Sequence, residues 1–355
     1  FAFLSNRLQF SGDIYQRKTT DMFTVGMSLP AVFGTDVPKG NYADLTTKGF
    51  ELSVSWRDQF QLASKPFNYE VRFTLADYQS TIDKYNNPEK KLGDDYYYEG
   101  MKVGEIWGYE TEGFFTSQAD IDSHAKQPYF YAGATAGQWL PGDIKFKDLN
   151  GDGVIDYGNN TVDNPGDQKI IGNSEPRFIY GINLSGDWNN FFVSAFFQGV
   201  GKQDWWPGSE ASYFWGMYNR PYNDMPKSHL GNIWTEENPN TYFPRLRGYS
   251  SEEPYAELNL KQTRYLQNIA YIRMKNIQLG YTLPKSFISK LRMQNAKVYV
   301  SGENLWSWSP FYKYSKDLDV EAVRGSDRDL TEGTSGNGYS YPILKSVSFG
   351  LSVTF

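Results

Sequence analysis

The chain has 355 residues, a formal net charge of −6, no cysteine, an aromatic share of 17% and a mean hydropathy of −0.60. Without cysteine it has neither a disulfide scaffold nor thiol chemistry, and no apolar run reaches the roughly eighteen residues of a transmembrane helix. No Lys/Arg-rich block offsets the acidic balance, which argues against a nucleic-acid partner.

The start, Phe1-Ala-Phe-Leu, lacks a basic n-region and a cleavage site, so it is read as a mature protein or a piece of one. Leu8, Phe10 and Ile14 then make a weak first strand. From Lys48 to Arg57 the alternation is clean, with Phe50, Leu52, Val54 and Trp56 opposed to Glu51, Ser53, Ser55 and Arg57. Phe67, Tyr69, Val71, Phe73 and Leu75 form a third row, and Phe178, Tyr180, Ile182 and Leu184 a fourth. Phe191, Val193, Ala195 and Phe197 follow, then Ile277, Leu279, Tyr281 and Leu283, then a short stretch at Ala296, Val298 and Val300. The last strand is predicted over Tyr341–Phe355, with Phe355, Val353, Leu351, Phe349, Val347, Ile343 and Tyr341 on one face and small polar residues on the other. About eight strands are therefore expected.

Short connections are predicted at Asp58–Pro66, Asp187–Asn190 and Pro284–Gln294. Long ones are predicted near residues 16–45, 84–175, 201–262 and 307–340. The two kinds alternate strictly, so in a meander of antiparallel strands all the long loops fall at one end of the sheet. Outer-membrane barrels have this asymmetry, with short periplasmic turns, long extracellular loops and alternating faces toward lipid and lumen. A β-sandwich with its apolar faces turned inward is the alternative, as a secreted calcium-containing carbohydrate-binding protein.

The longest loop contains Asp148-Leu-Asn-Gly-Asp-Gly-Val-Ile-Asp156, which matches the first nine positions of a calcium loop. Asp148, Asn150, Asp152, the Val154 carbonyl and Asp156 are the expected ligands of a structural calcium ion, because alternate oxygens around a glycine turn converge on one centre. The usual twelfth-position Glu is replaced by Asn159, so a last ligand is sought from Asp163 or Asp167. No helical pattern flanks the loop. The next long loop carries Trp205-Trp206-Pro207, Tyr213-Phe214-Trp215, Tyr218, Arg220 and Tyr222. Trp205, Trp206, Tyr213, Trp215 and Tyr218 are the expected substrate-binding residues, since flat rings with polar neighbours stack on sugars or clamp peptides; packing of the loop is the competing role. Trp306 and Trp308 suit an interfacial aromatic belt.

Catalytic patterns are lacking. His124 and His229 are far apart without metal-ligand spacing. No Gly-x-Ser-x-Gly elbow occurs, and Gly199-Val-Gly201-Lys202 falls short of a phosphate loop. No catalytic residue is assigned.

Taken in order, several stretches resemble the C-terminal barrel portion of SusC/RagA-type TonB-dependent outer-membrane transporters of Bacteroidetes. They are Lys48-Gly-Phe-Glu-Leu, the segment Gly104-Glu-Ile-Trp-Gly-Tyr-Glu-Thr-Glu-Gly-Phe-Phe, the DLNGDGVID loop, and Ile171-Gly-Asn-Ser-Glu-Pro-Arg-Phe-Ile-Tyr-Gly. Phe196-Phe-Gln-Gly-Val-Gly, Tyr271-Ile-Arg-Met-Lys-Asn-Ile-Gln-Leu-Gly-Tyr, Gly302-Glu-Asn-Leu and the terminal SVSFGLSVTF complete them. The resemblance implies an all-β fold, a transmembrane antiparallel barrel of about 22 strands around a plug. It also implies a SusD-like surface lipoprotein as lid, energy from TonB, and import of oligosaccharide or peptide fragments across the outer membrane, with no enzymatic activity. Residues 1–355 then correspond to the C-terminal segment of the barrel in contact with outer-membrane lipid. Extracellular loops fall near 84–175, 201–262 and 307–340. The plug, the N-terminal strands and the part that meets TonB are not within this sequence. Phe355 corresponds to the terminal aromatic read by the barrel-assembly machinery.

Overall fold

A computed structural model of the chain describes residues 1–25, 32, 34, 37–93, 96–128, 139–208, 211–220, 222–247, 251–252, 256–323 and 341–355. Its eight long strands are β1 Leu8–Val25, β2 Lys39–Leu62, β3 Lys65–Lys84, β4 Arg177–Trp188, β5 Phe191–Lys202, β6 Tyr271–Thr282, β7 Asn295–Trp308 and β8 Ser346–Thr354. Each is antiparallel to the next in sequence, and Ala2–Phe3 adds a short strand beside β1, so one nine-stranded meander holds them all.

Register turns the alternation of single strands into rows across the sheet. Trp56, Val71, Leu184, Ala195, Ile277, Gly302 and Val347 are successive cross-strand partners. One residue along each strand, Arg57, Glu70, Ser185, Ser194, Gln278, Ser301 and Ser348 are partners in the same way. Directly opposed residues share a face, so one face is apolar and the other polar from β2 to β8. A slip of one residue at any ladder would mix the two sets. Phe60, Phe67, Trp188, Phe191 and Tyr281 make an aromatic row at the short-turn end of the apolar face. Tyr180 and Trp308 stand on its loop-side row, joined through Gly199 and Ile272. Between Tyr180 and Trp188 lie eight residue steps, about 26 Å along the strand at about 3.3 Å per residue. With the tilt that strands have in outer-membrane barrels, that length would span about the ~25 Å apolar band of such a wall.

Phe192 interrupts the polar face. It faces Gly280 across the ladder, where a Cβ would come within 2.2 Å of the ring, and the Lys297 ammonium lies 5.6 Å from the ring centroid. The ring therefore lies over a residue without a side chain and under a cation.

Two of the three short connections are two-residue turns, and the third, between Thr282 and Asn295, carries the helical turns Lys285–Ile288 and Ser289–Leu291. Ala63 and Ser64 join β2 to β3, and Asn189 and Asn190 join β4 to β5, all four with positive φ. Two consecutive left-handed residues match the twist of a two-residue hairpin, and Asn adopts that conformation readily. The Trp188 indole N–H donates to the Leu62 carbonyl at 3.0 Å and ties the two turns together.

Several boundaries differ from the sequence reading: the connection expected over Asp58–Pro66 is reduced to Ala63 and Ser64, the short late strand expected at Ala296–Val300 runs from Asn295 to Trp308, and two further differences are larger. The long connection expected over residues 16–45 is mostly ladder, because β1 runs on to Val25 and β2 starts at Lys39. Gln16, Arg17, Lys18, Thr19 and Thr20 are polar on both faces, so alternation fades while backbone pairing continues. The last strand begins at Ser346 rather than Tyr341. Pro342 has no N–H to give a ladder, and the Ile343 N–H donates to Asp319 at 3.1 Å instead. The alternation of short and long connections survives these changes. Part of the expected 307–340 loop, residues 324–340, lies outside the described residues.

Candidate functional site

At their long-loop end the strands carry a layer with its own hydrophobic core. Glu105–Tyr109 pairs with Gln168–Asn173, Thr111–Phe114 with Ile144–Phe146, and Asp204–Trp205 with Gln267–Asn268. Around these ladders Phe146, Ile155, Phe214, Phe243, Tyr265 and Phe311 are almost fully buried.

The five expected substrate-binding residues divide. Trp205, Trp215 and Tyr218 are 4%, 0% and 0% exposed. The Trp215 indole donates to the carbonyls of Pro207 at 3.1 Å and Gly208 at 3.0 Å, and the Tyr218 hydroxyl donates to that of Pro244 at 2.5 Å. Trp205 meets Phe214 and Phe311 edge-on, with centroids 6.1 and 5.8 Å apart. Rings enclosed in this way present no face to a ligand, so these three are packing residues and the expectation for them is corrected. Trp206 is half-buried, 6.3 Å from Trp215. Tyr213 is 54% exposed and, with Arg220, Tyr222, Asp224, Met225 and Asp317, lines an open cleft of about 620 Å³. The sequence run Tyr213-Phe214-Trp215 thus turns one ring outward and two inward on a single turn, Ser212–Trp215.

The acidic loop is held from beneath by Ile155, which is fully buried, and by two backbone bonds to Lys126 at 2.8 and 2.9 Å. Asp148 accepts the N–H groups of Gly151 at 2.6 Å and Gly153 at 2.9 Å. Asn150 accepts from Asp152 N at 2.9 Å, Asp152 from Val154 N at 2.8 Å and Asp156 from Gly158 N at 2.7 Å. Asp167, fully buried, receives the N–H groups of Leu149 at 2.7 Å and Asp156 at 2.9 Å, which fastens both ends of the loop. Asp163 points instead to Lys90, 3.9 Å away. The side-chain oxygens here serve the loop's own amides, and among the described residues no three carboxylates or imidazoles are gathered as a ligand set.

One buried cluster was not signalled by the sequence. Asp143, fully buried, is gripped by both Nε (2.8 Å) and Nη2 of Arg247, while Arg245 stands 4.0 Å away. Beside it, Glu257 accepts the Ile144 N–H at 2.8 Å. Burial pushes the Glu257 carboxyl up to about 8, with the Asp143 charge adding to the effect. Burial also pushes Asp143 up, and Arg247 opposes it. The guanidinium fork makes Asp143 the ionised member and leaves Glu257 protonated near neutrality. His229, 1% exposed, donates from Nε2 to the Phe214 carbonyl at 2.9 Å, and burial lowers its pKa to about 4. Single Asp, Glu and Arg residues scattered over residues 143–257 form no spacing that could have announced this cluster.

Comparison with known proteins adds three findings. No family model matches the chain. Among curated proteins, TonB-dependent receptor P3 of Formosa agariphila is 27% identical over 372 residues, covering 100% of this chain and 33% of its own length. TonB-dependent receptor P26 of the same organism is 26% identical and covers 96% of the chain. Among solved structures, the RagAB peptide importer in its closed-closed state aligns over 100% of this chain and 34% of its own, with 19% identity and a TM-score of 0.68. Its open-open state gives a TM-score of 0.66. The chain thus spans about a third of the length of the relatives it matches. The resemblance read from its motifs is matched by relatives along the whole chain, and the fold is that of a section of a TonB-dependent transporter barrel.

Proposed function

We propose that the chain forms part of the wall and the outer loops of an outer-membrane importer driven through TonB. Its cargo would be glycan or peptide fragments and a SusD-like surface lipoprotein its partner; it would carry out no chemistry of its own. The observation that carries this reading is the registered two-faced sheet, with every long connection at one end. An apolar face with an aromatic row at its turn end and Tyr180 and Trp308 at its loop end, and a polar face of Ser, Gln and paired charges, suit lipid outside and water inside. On that face Glu70 receives Arg57 at 3.0 Å and Arg72 at 3.1 Å. The likeness to TonB-dependent receptors supports the energy source, and the likeness to the RagAB peptide importer supports import as the activity.

Of the loop aromatics, Tyr213 and Trp206 remain the proposed cargo contacts, with Tyr222 on the same cleft as Tyr213. A calcium ion is proposed as a structural element of the Asp148–Asp156 loop, where Asp148, Asn150, Asp152, the Val154 carbonyl and Asp156 would supply hard oxygens. The reading is tested in cells that express the complete protein. Labelled oligosaccharide or peptide should accumulate in the periplasm only while TonB is present, and the protein should co-purify from outer membrane with a surface lipoprotein. Recovery in the soluble fraction, or uptake indifferent to TonB, would sink it.

A further inference from the structure

We infer that the third short connection, residues 283–294 between β6 and β7, is an anchor that binds the anionic phospholipid headgroups of the periplasmic leaflet. The other two short connections reverse the chain with two residues each, whereas this one carries the helical turns Lys285–Ile288 and Ser289–Leu291. Two antiparallel strands need only a hairpin to pair, so the ladder gains nothing from the added length. What the length adds is a set of side chains: the Phe287 ring and the cations Lys285, Lys290 and Arg292.

The connection is built onto the wall. Leu283 N donates to the Ala296 carbonyl at 2.9 Å and Gln294 N to that of Thr354 at 2.7 Å, so both of its ends stay in the ladder. Between them Phe287 N and Ile288 N donate to the Pro284 carbonyl at 2.9 and 3.2 Å, and Met293 N to that of Ile288 at 3.2 Å. Arg292, with φ +56, turns the chain back at the end of the second helical turn. Ile288 and Ala296 are almost fully buried. Ala296 shares the apolar face with Val298, two residues further along β7, and Val298 is exposed. The helical turn packs against β7 and closes that face at Ala296. Phe287, the neighbour of the buried Ile288, is turned outward and is 57% exposed.

Position and charge together select the occupant. Tyr281 stands in the aromatic row at this end of the apolar face, its ring centroid 4.7 Å from that of Phe191. The connection leaves the sheet directly after that row, which carries the Phe287 ring just past the edge of the apolar surface. Lys285, Lys290 and Arg292 are exposed around it. Residues 283–302 contain no Asp or Glu, although the chain as a whole has a net charge of −6. An apolar ring among cations at the rim of a lipid-facing surface fits a phospholipid interface, the ring at the acyl boundary and the cations on the phosphates. An acidic periplasmic protein would also satisfy the cations, but continuity with the apolar face favours lipid. The anchor rests on the reading of that face as the one that meets lipid.

The experiment is hydrogen exchange of the complete protein in phosphatidylcholine nanodiscs, with and without added phosphatidylglycerol. Opening of the connection must break its headgroup contacts, so amides of residues 285–293 should exchange about fivefold or more slowly when phosphatidylglycerol is present. The two-residue turns at Ala63 and Ser64 and at Asn189 and Asn190 should stay within about twofold between the two lipids. Lys285→Gln, Lys290→Gln and Arg292→Gln combined should abolish the difference, and Phe287→Ser should speed exchange in both lipids. Unchanged exchange of the β5, β6 and β7 amides shows that each variant has kept its fold. Wild-type exchange indifferent to phosphatidylglycerol overturns the anchor, as does a lipid response that survives the triple substitution or exchange unaltered by Phe287→Ser. Protection that requires a soluble acidic periplasmic protein instead of lipid also overturns it and assigns the connection to a protein partner. Quenching of tryptophan fluorescence by lipids brominated along their chains is scored separately. Quenching without a response at residues 285–293 breaks the anchor and leaves the wall reading standing; a complete absence of quenching breaks the wall reading itself.

Discussion

The wall and the loop layer use aromatic residues in opposite ways. In the wall, Phe60, Phe67, Trp188, Phe191 and Tyr281 stand in register on an open face, and Phe60 and Phe191 are about half exposed. In the loop layer, Trp215, Phe214, Phe243 and Tyr265 pack ring against ring with almost no exposure, Phe214 and Trp215 with centroids 4.8 Å apart. One region therefore has an environment on each face and no core of its own. The other is held by burial in the manner of a small soluble domain. The difference teaches that a hydropathy average over the chain describes neither region.

Substitution separates the two most sharply. Trp215→Ala should cost the loop layer about 3–5 kcal/mol, the usual loss for a large ring removed from a packed interior, read as earlier melting and faster proteolysis of the loops. In the wall, the adjacent residues Leu184 and Ser185 on β4 lie on opposite faces near the middle of the apolar span. Leu184→Arg should cost about 2–4 kcal/mol in a lipid bilayer, and Ser185→Arg close to nothing. Unfolding titrations in phospholipid vesicles give both numbers. If the two costs exchange places, the apolar face does not meet lipid and the comparison fails.

This contrast also explains what was legible in the sequence. Phe50, Leu52, Val54 and Trp56 announced β2 because period-two alternation survives wherever two faces meet different environments. From Gln16 to Thr20 both faces of β1 are polar, the apolar residues beyond them (Met22, Phe23, Val25) do not alternate, and the same ladder continues without a signal. In the loop layer the rings are set by tertiary contacts rather than by a period. Tyr213 and Trp215 were therefore indistinguishable as letters, although one is 54% exposed and the other 0%. Trp107 and Tyr157 belong to stretches the resemblance had picked out or bordered, yet only folding brings them to one cleft with Tyr96.

A smaller effect than core deletion is expected from pH, and it should be confined to the loop layer. Glu257 rises from an ordinary 4.5 to about 8 on folding. Between those values the folded state holds a proton that the unfolded state has released, so stability falls as pH rises across that window. His229 drops from 6.5 to about 4. Between those values the unfolded state holds the extra proton, so stability rises with pH. The two slopes oppose each other from about 4.5 to 6.5, and from about 6.5 to 8 the decline from Glu257 is no longer opposed by His229. Hydrogen exchange of loop amides should show that decline, and Glu257→Gln should remove it while leaving the wall amides unchanged. A decline that persists in Glu257→Gln would place its origin elsewhere.

The mildest expected change bears on the acidic loop, where a self-satisfied turn and an ion site differ little in stability without metal. Asp148→Ala removes the acceptor for Gly151 and Gly153 at the loop's start, a loss of about 1 kcal/mol for a solvent-accessible turn. Added calcium should raise the melting temperature of the wild-type loop layer, because an ion that binds only the folded state stabilises it by mass action. In Asp148→Ala that increment should vanish, while in Asn159→Ala, at the position where the usual bidentate Glu is missing, most of it should remain. An equal calcium response in wild type and Asp148→Ala would assign the ion to another place. No response in either would leave the loop as a turn whose acidic residues serve only its amides, held by Ile155 below and Asp167 behind.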